Sequence, residues 1–171
     1  ALPCGAAGQG EYLDLRLREY VNPEEALERM IAASVSDLAP AACEYIDVRA
    51  DAVTVAFPVS SWEARLEGAP IEDVRAAFAA LGERGYIEIE RKSKKRRGQM
   101  EVKQVALEGR LVEGPVFEEQ GDETLVRFKT LAQNQGSSLR PDRYIEGALA
   151  LMEEGKQPRV SYLARVELAG E

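Results

Sequence analysis

Histidine is absent from this chain of 171 residues. Its absence removes the commonest general base and the commonest transition-metal ligand, so any chemistry would run on carboxylates, lysine, tyrosine or cysteine. Cysteine is scarce too: Cys4 and Cys43 are the two present, and they form no Cys-x-x-Cys pair. That disfavours a disulfide framework, a zinc site and an iron–sulfur site, and it fits a reduced compartment. Cys43, beside Ala41 and Ala42, reads as a small buried apolar residue. No apolar run approaches the ~20 residues needed to cross a bilayer. The first residues carry no basic-then-apolar signal pattern. The expectation is a soluble, cytoplasmic protein without membrane contact, metal or cofactor.

Positive charge is short as well. Lys and Arg number 22 against 30 Asp and Glu, a net charge of -8, which argues against a general nucleic-acid binder. Six of the 22 nevertheless crowd into "ERKSKKRRG", as Arg91, Lys92, Lys94, Lys95, Arg96 and Arg97. Without them the balance is 16 against 30, or -14. Any anionic partner must therefore be met locally. The run contains no aromatic residue, so base stacking and sequence-specific readout have no support there.

With 45% apolar residues the chain is long enough for one ordinary core or two small ones. "EYLDLRLR" at 11–18 alternates Leu13, Leu15 and Leu17 with polar residues and predicts a half-buried strand. "NPEEALERMIAA" supplies Asn22 as N-cap, Pro23 at the first helical position and Glu25 three residues after the cap. "EYIDVR" at 44–49 predicts a second strand. After a short polar joint at 49–51, alternation at Val53, Val55 and Phe57 predicts a strand that Pro58 ends or edges, and Trp62 reads as a packing anchor. Pro70 opens a helix carrying Ile71, Val74, Phe78 and Leu81, which Gly82 and Gly85 are placed to end. "YIEIER" is a strand, the basic run a hairpin tip, and "VKQVALEGRLV" one strand with a bulge at Gly109. "TLVRFKTL", a helix from Pro141 ending near Gly155 and "VSYLARVEL" complete the series.

The fold class expected is α+β, built of ferredoxin-like α/β sandwich units with antiparallel sheets and helices on one face. Residues 1–50 are expected to be the second half of a truncated unit, and 51–171 a unit with one extra strand. The truncated unit would leave an open sheet edge, which invites pairing with a partner or with a second copy as a homodimer.

"ALPCGAAGQGEYLDLRLREYVNPEEALERM", "GSSLRPDRYIEGAL" and the basic hairpin ahead of "VKQVALEGRLV" occur in an order that covers nearly the whole chain. Together they resemble a radical-SAM-linked family of bacterial proteins, a radical SAM-associated domain of unknown function. The resemblance implies a radical SAM protein as partner and a setting near a ribonuclease and large-subunit ribosomal proteins. It also implies an N-terminal part that this chain lacks: a strand, a Ser-His-Leu-Asp helix and a Gly-Phe-x-Pro-Arg-Pro segment. Radical SAM chemistry needs a Cys-x3-Cys-x2-Cys site, and this chain has none.

The candidate binding residues are the six cations of 91–97, assisted by Arg127, Lys129 and Arg140 if they share a face. Against the hairpin stands the alternative of a solvated turn balanced by Glu88, Glu90 and Glu101. Ser138 and Arg140 beside a helix N-terminus read either as an anion site or as ordinary capping. Asp14 and Asp47 read either as an acid–base pair or as members of a cross-strand ion network with Arg16, Arg18 and Arg49. "GAAGQG" lacks the Lys and Ser/Thr of a phosphate loop and reads as a flexible start. The functional expectation is an accessory module of a radical SAM system that binds RNA or a ribosome-related ribonucleoprotein. The alternative is a domain that docks an acidic surface of the radical SAM protein without nucleic acid. An independent enzyme is the reading the composition supports least.

Overall fold

The computed structural model describes residues 2–92, 99–133 and 138–170. In chain order the elements are β1 (Ala7–Gly8), α1 (Pro23–Ala33), a 3-10 turn (Ser36–Leu38), α2 (Val53–Ala56), β2 (Val59–Glu67), α3 (Ile71–Arg84), β3 (Tyr86–Lys92), β4 (Met100–Ala106), β5 (Leu111–Gln120), β6 (Glu123–Leu131), α4 (Pro141–Leu149) and β7 (Arg159–Ala169). They fall into two compact units, one of 1–11 with 54–171 and one of 12–53.

The larger unit is α+β. Its five-stranded sheet has the order β1-β7-β2-β6-β5, and β3 with β4 forms a separate two-stranded sheet. Setting β1 and that hairpin aside, the chain order is strand, helix, strand, strand, helix, strand. The spatial order is fourth, first, third, second, with every neighbouring pair antiparallel. This is the ferredoxin-like plan, with the hairpin inserted between α3 and the second strand. One extra strand was expected; a pair is found. "VKQVALEGRLV" breaks at Gly109, whose φ of +67° makes a turn rather than a bulge. In that turn the N–H groups of Arg110 and Leu111 both donate to the Leu107 carbonyl at 3.0 Å.

Alternation decides which sheet face is covered. Trp62, Ala64 and Leu66 of β2 stand beside Phe128 and Val126 of β6, and all five are buried. Against them α3 brings Val74, Phe78 and Leu81, spaced four and three apart, and α4 brings Tyr144, Ile145, Ala148 and Leu149. The Tyr144 ring meets those of Phe78 and Phe128 at centroid distances of 5.3 and 4.9 Å. Trp62 is the buried anchor the sequence suggested, and its Nε1 donates to Thr130 Oγ1 at 2.9 Å. Gly85 ends α3 in the left-handed region at φ +76°, while Gly82 stays inside the helix. α4 ends at Leu149, short of Gly155.

The strand predicted at Val53–Phe57 is instead the one-turn α2, and β2 begins after Pro58. Three alternating apolar residues do not distinguish a strand from a single helical turn. "GAAGQG" is not loose: Ala7 and Gly8 pair parallel with Ala164 and Arg165, and Glu11 ion-pairs with Arg165.

In the smaller unit α1 forms as predicted. Asn22 Oδ1 accepts from the Glu24 N–H at 2.8 Å, with Pro23 in the first turn. The strands predicted at 11–18 and 44–49 do not form. A strand needs a ladder partner, and among the described residues neither of these alternating segments is in a ladder. The side chain of Tyr45 joins them instead. Its hydroxyl accepts from the Val21 N–H at 3.1 Å and donates to the Val21 carbonyl at 2.9 Å, and its ring stacks on Tyr20. Cys43 is half-buried rather than buried.

Candidate functional site

The hairpin β3–β4 runs from the Tyr86–Ala106 pair to the Lys92–Met100 pair. Its base is anchored: Ile87, Val105 and Leu107 belong to the core and Ile89 packs against it. Gly147 of α4 permits this seat, because a Cβ there would stand 2.8 Å from Ile87 Cγ2. Beside the base, the Arg84 guanidinium lies 4.4 Å from the Tyr86 ring centroid and pairs with Glu88 at 2.9 Å. Hydrogen bonds from Arg84 and then Gln104 hold the Glu88 carboxyl below its usual range.

Beyond Ile89 the ladder leaves the core, and Glu90, Arg91, Lys92, Met100 and Val102 are exposed. Arg91 Nε donates to Glu101 Oε1 across the pair at 2.6 Å. Lys103, which the sequence reading did not single out, shares a hairpin face with Arg91. The alternation of β4 was its available signal. Lys94, Lys95, Arg96 and Arg97 lie outside the described residues.

The auxiliary cations do not gather with the hairpin. Arg127 and Lys129 project from the sheet face opposite the helices, since their neighbour Phe128 points into the core. Arg127 donates to Glu63 at 2.7 Å and to Glu118 at 2.8 Å, and these bonds raise its pKa. Lys129 Nζ meets Glu113 Oε1 at 3.1 Å. On the same face Arg65 pairs with Glu123 and Arg159 with Glu67. The result is a lattice of paired charge, in which β2 and β6 present Ser61, Glu63, Arg65, Arg127 and Lys129. The half-buried Tyr162 of β7 stands on this face opposite Arg65, whose guanidinium lies 5.4 Å from its ring centroid. At one end the face dips into a shallow depression of about 510 Å³ lined by Val59, Leu111, Leu131 and Ala169 with the Lys129–Glu113 pair.

Arg140 sits in the helix layer, at the N-cap of α4. Its guanidinium bonds both oxygens of Asp142, at 3.0 and 2.5 Å, which raises its pKa. Asp142 thus supplies the negative charge that a helix start attracts, and Ser138 Oγ accepts from the Gln133 N–H at 3.2 Å. α4 starts with Pro141 in its first turn and no side-chain hydrogen bond to its cap. Asp14 accepts from the Val53 N–H, 39 residues on, at 3.1 Å, and Asp47 from the Arg49 N–H at 2.7 Å. With no strands there, neither the acid–base pair nor the cross-strand network arises.

Residues 1–141 match the sequence model of the family described as "Uncharacterized protein conserved in bacteria (DUF2344)". The chain belongs to that family. No curated protein matches it. Among solved structures this family member is similar to one titled "Crystal Structure of a Cbf5-Nop10-Gar1 Complex", at 18% identity and a TM-score of 0.39. The likeness covers 68% of this chain and spans 32% of that chain's length. A similarity so distant carries no argument about function. Among the described residues no helix is long and apolar enough to cross a membrane.

Proposed function

We propose that this chain is a non-catalytic accessory module that holds RNA, or a ribonucleoprotein, by its phosphate backbone through the β3–β4 hairpin and the basic run 91–97. The observation that carries the reading is a contrast of position. Arg127, Lys129 and Arg140 are spent on carboxylates of their own surfaces, as Arg91 is on Glu101, whereas Lys94, Lys95, Arg96 and Arg97 follow Lys92 in the sequence between the two paired strands of an anchored hairpin. Phosphates reward such local density even on an acidic protein, because each contact releases counterions near its own site. Arg127, Lys129 and Arg140 therefore drop to a secondary role. The radical SAM protein as recipient of the bound RNA rests on the sequence resemblance.

One observation favours a second reading, in which the hairpin docks an acidic protein surface. Met100 and Val102 are 58% and 60% exposed on the hairpin face that also bears Lys92. Met100 stands opposite Lys92 and Val102 opposite Glu90, and exposed apolar side chains set among charges suit a protein better than a phosphate backbone.

The test is fluorescence anisotropy of labelled RNA against the chain and an Arg96→Glu/Arg97→Glu variant over a salt series. Six contacts to single-stranded RNA predict a log–log slope near about -4, flattened in the variant. Absence of binding at low salt would refute the RNA reading and leave protein docking.

A further inference from the structure

We infer that the depression at the end of the sheet face is a binding site for a small organic cation, an apolar body that carries one primary ammonium group. The inference stands on a different surface from the basic hairpin and does not depend on it.

Register builds the site in two rows, both on the face turned away from the helices. Val59 stands beside Leu131 on one side and Ala169 on the other, so β6, β2 and β7 each place one half-buried apolar side chain in the first row. Two positions further along β2, Ser61 stands between Lys129 and Glu167, and Glu113 of β5 lies beyond Lys129. Leu111 closes the depression on the β5 side. Neighbouring strands lie about 4.8 Å apart, so the three apolar side chains make a floor about 10 Å wide across the strands. That floor takes a short alkyl chain or a single ring. The volume of about 510 Å³ is that of a small-molecule site, whereas a protein partner would need a far larger surface.

Charge selects the ligand. Elsewhere on this face Glu63 and Glu118 have Arg127, Glu123 has Arg65 and Glu67 has Arg159, and at the depression Glu113 has Lys129. Glu167 has no cation among the described residues; its one bond comes from the Ser61 hydroxyl to Oε2, at 3.3 Å. Its Oε1 is left to accept from a ligand. Two carboxylates against the Lys129 ammonium give the depression a net charge of -1. An anionic ligand would meet Glu167 uncompensated and would compete with Glu113 for Lys129. An ammonium donating to Glu167 Oε1 and to the free lone pair of Ser61 Oγ, with its carbon body over Val59 and Leu131, satisfies both rows at once.

The experiment titrates the full isotope-labelled chain with hexylammonium, hexanol and hexanoate, one carbon chain under three head groups, and follows the backbone amides by nuclear magnetic resonance. Hexylammonium should shift the amides of Val59, Ser61, Lys129, Leu131, Glu167 and Ala169. It should bind about threefold more tightly than hexanol, the worth of one partly exposed charge pair, and hexanoate more weakly than either. Glu167→Gln should erase the preference for hexylammonium over hexanol and leave the affinity for hexanol unchanged. Lys129→Gln, which leaves Glu113 unpaired, should strengthen hexylammonium binding. Neither side chain belongs to the core, so both variants should keep the Trp62 emission of the parent chain. Equal affinity for hexylammonium and hexanol, or tighter binding of hexanoate, would overturn the assignment of a cation, and shifts confined to other residues would overturn the site. Leucinamide should bind more tightly than leucine; the reverse would give Lys129 a ligand carboxylate and replace the monocation by a zwitterion.

Discussion

Two contacts between single residues decide how the larger unit is held. Trp62 Nε1 and Thr130 Oγ1 are each other's buried partners at 2.9 Å, so Thr130→Val keeps the volume but strands a buried N–H. A urea titration should show a loss of roughly 1–3 kcal/mol, the cost of one unsatisfied buried donor. Adding Trp62→Phe should cost less than the two single changes summed, because the stranded donor is then gone. Gly147 is the second: with Ile87 Cγ2 2.8 Å from any Cβ placed there, Gly147→Ala overpacks the seat of the hairpin. A loss of about 1–3 kcal/mol is expected, partly relieved in an Ile87→Ala background, which a double-mutant cycle would measure. No side chain in the sequence announces either contact. Trp62 and Thr130 are 68 positions apart, and a glycine inside an α4 of helical pattern reads as a neutral weakening until the strand beneath it is known.

At the scale of elements, the helices were the most legible. α1 and α3 carry their start signals at Asn22, Pro23 and Pro70, and Gly85 stops α3 with a positive φ. Helical hydrogen bonds are local, so a local pattern suffices to place them. Strands were legible only where a partner existed. Leu13, Leu15 and Leu17 alternate as cleanly as Trp62, Ala64 and Leu66, yet the second set is in a ladder and the first is not. The hairpin illustrates the remaining difficulty. The turn 107–110, with Gly109 at φ +67°, separates β4 from β5, and a bulge and a turn at Gly109 look alike in sequence. β5 then serves as a sheet edge, broken in register around Gly114 and Pro115. Proline, lacking an N–H, blunts such an edge against further pairing.

For the whole molecule, charge governs the response to pH and salt. Glu67, Glu88 and Glu118 all have carboxyls held below the ordinary 4.5, chiefly by hydrogen bonds from Arg159, Arg84 and Arg127 respectively. A depressed carboxylate adds stability that is complete above its unfolded value and is lost as the pH falls through its folded value. Thermal melting should therefore be flat from pH 7 to about 5 and decline as the pH drops below about 4.5, the decline being smaller in an Arg127→Gln variant, which has already lost its bonds to Glu63 and Glu118. Each pair is exposed, so added salt should narrow the difference between the two proteins.

Local pattern and composition were enough for the α+β class, for the helix starts at Asn22, Pro23 and Pro70 and for the absence of histidine. All of these follow from periodicity, capping or composition, which are properties of neighbours along the chain. Tertiary packing alone set the pairing of Arg127 and Lys129 with Glu63, Glu118 and Glu113, the seat of Arg140 in the helix layer, the helical turn at Val53–Ala56 and the insertion of two strands rather than one. It also decided that 12–18 and 44–49 stay irregular. Those outcomes depend on which strand lies beside which, and pairing is set by burial of faces distant in sequence rather than by any residue's immediate surroundings.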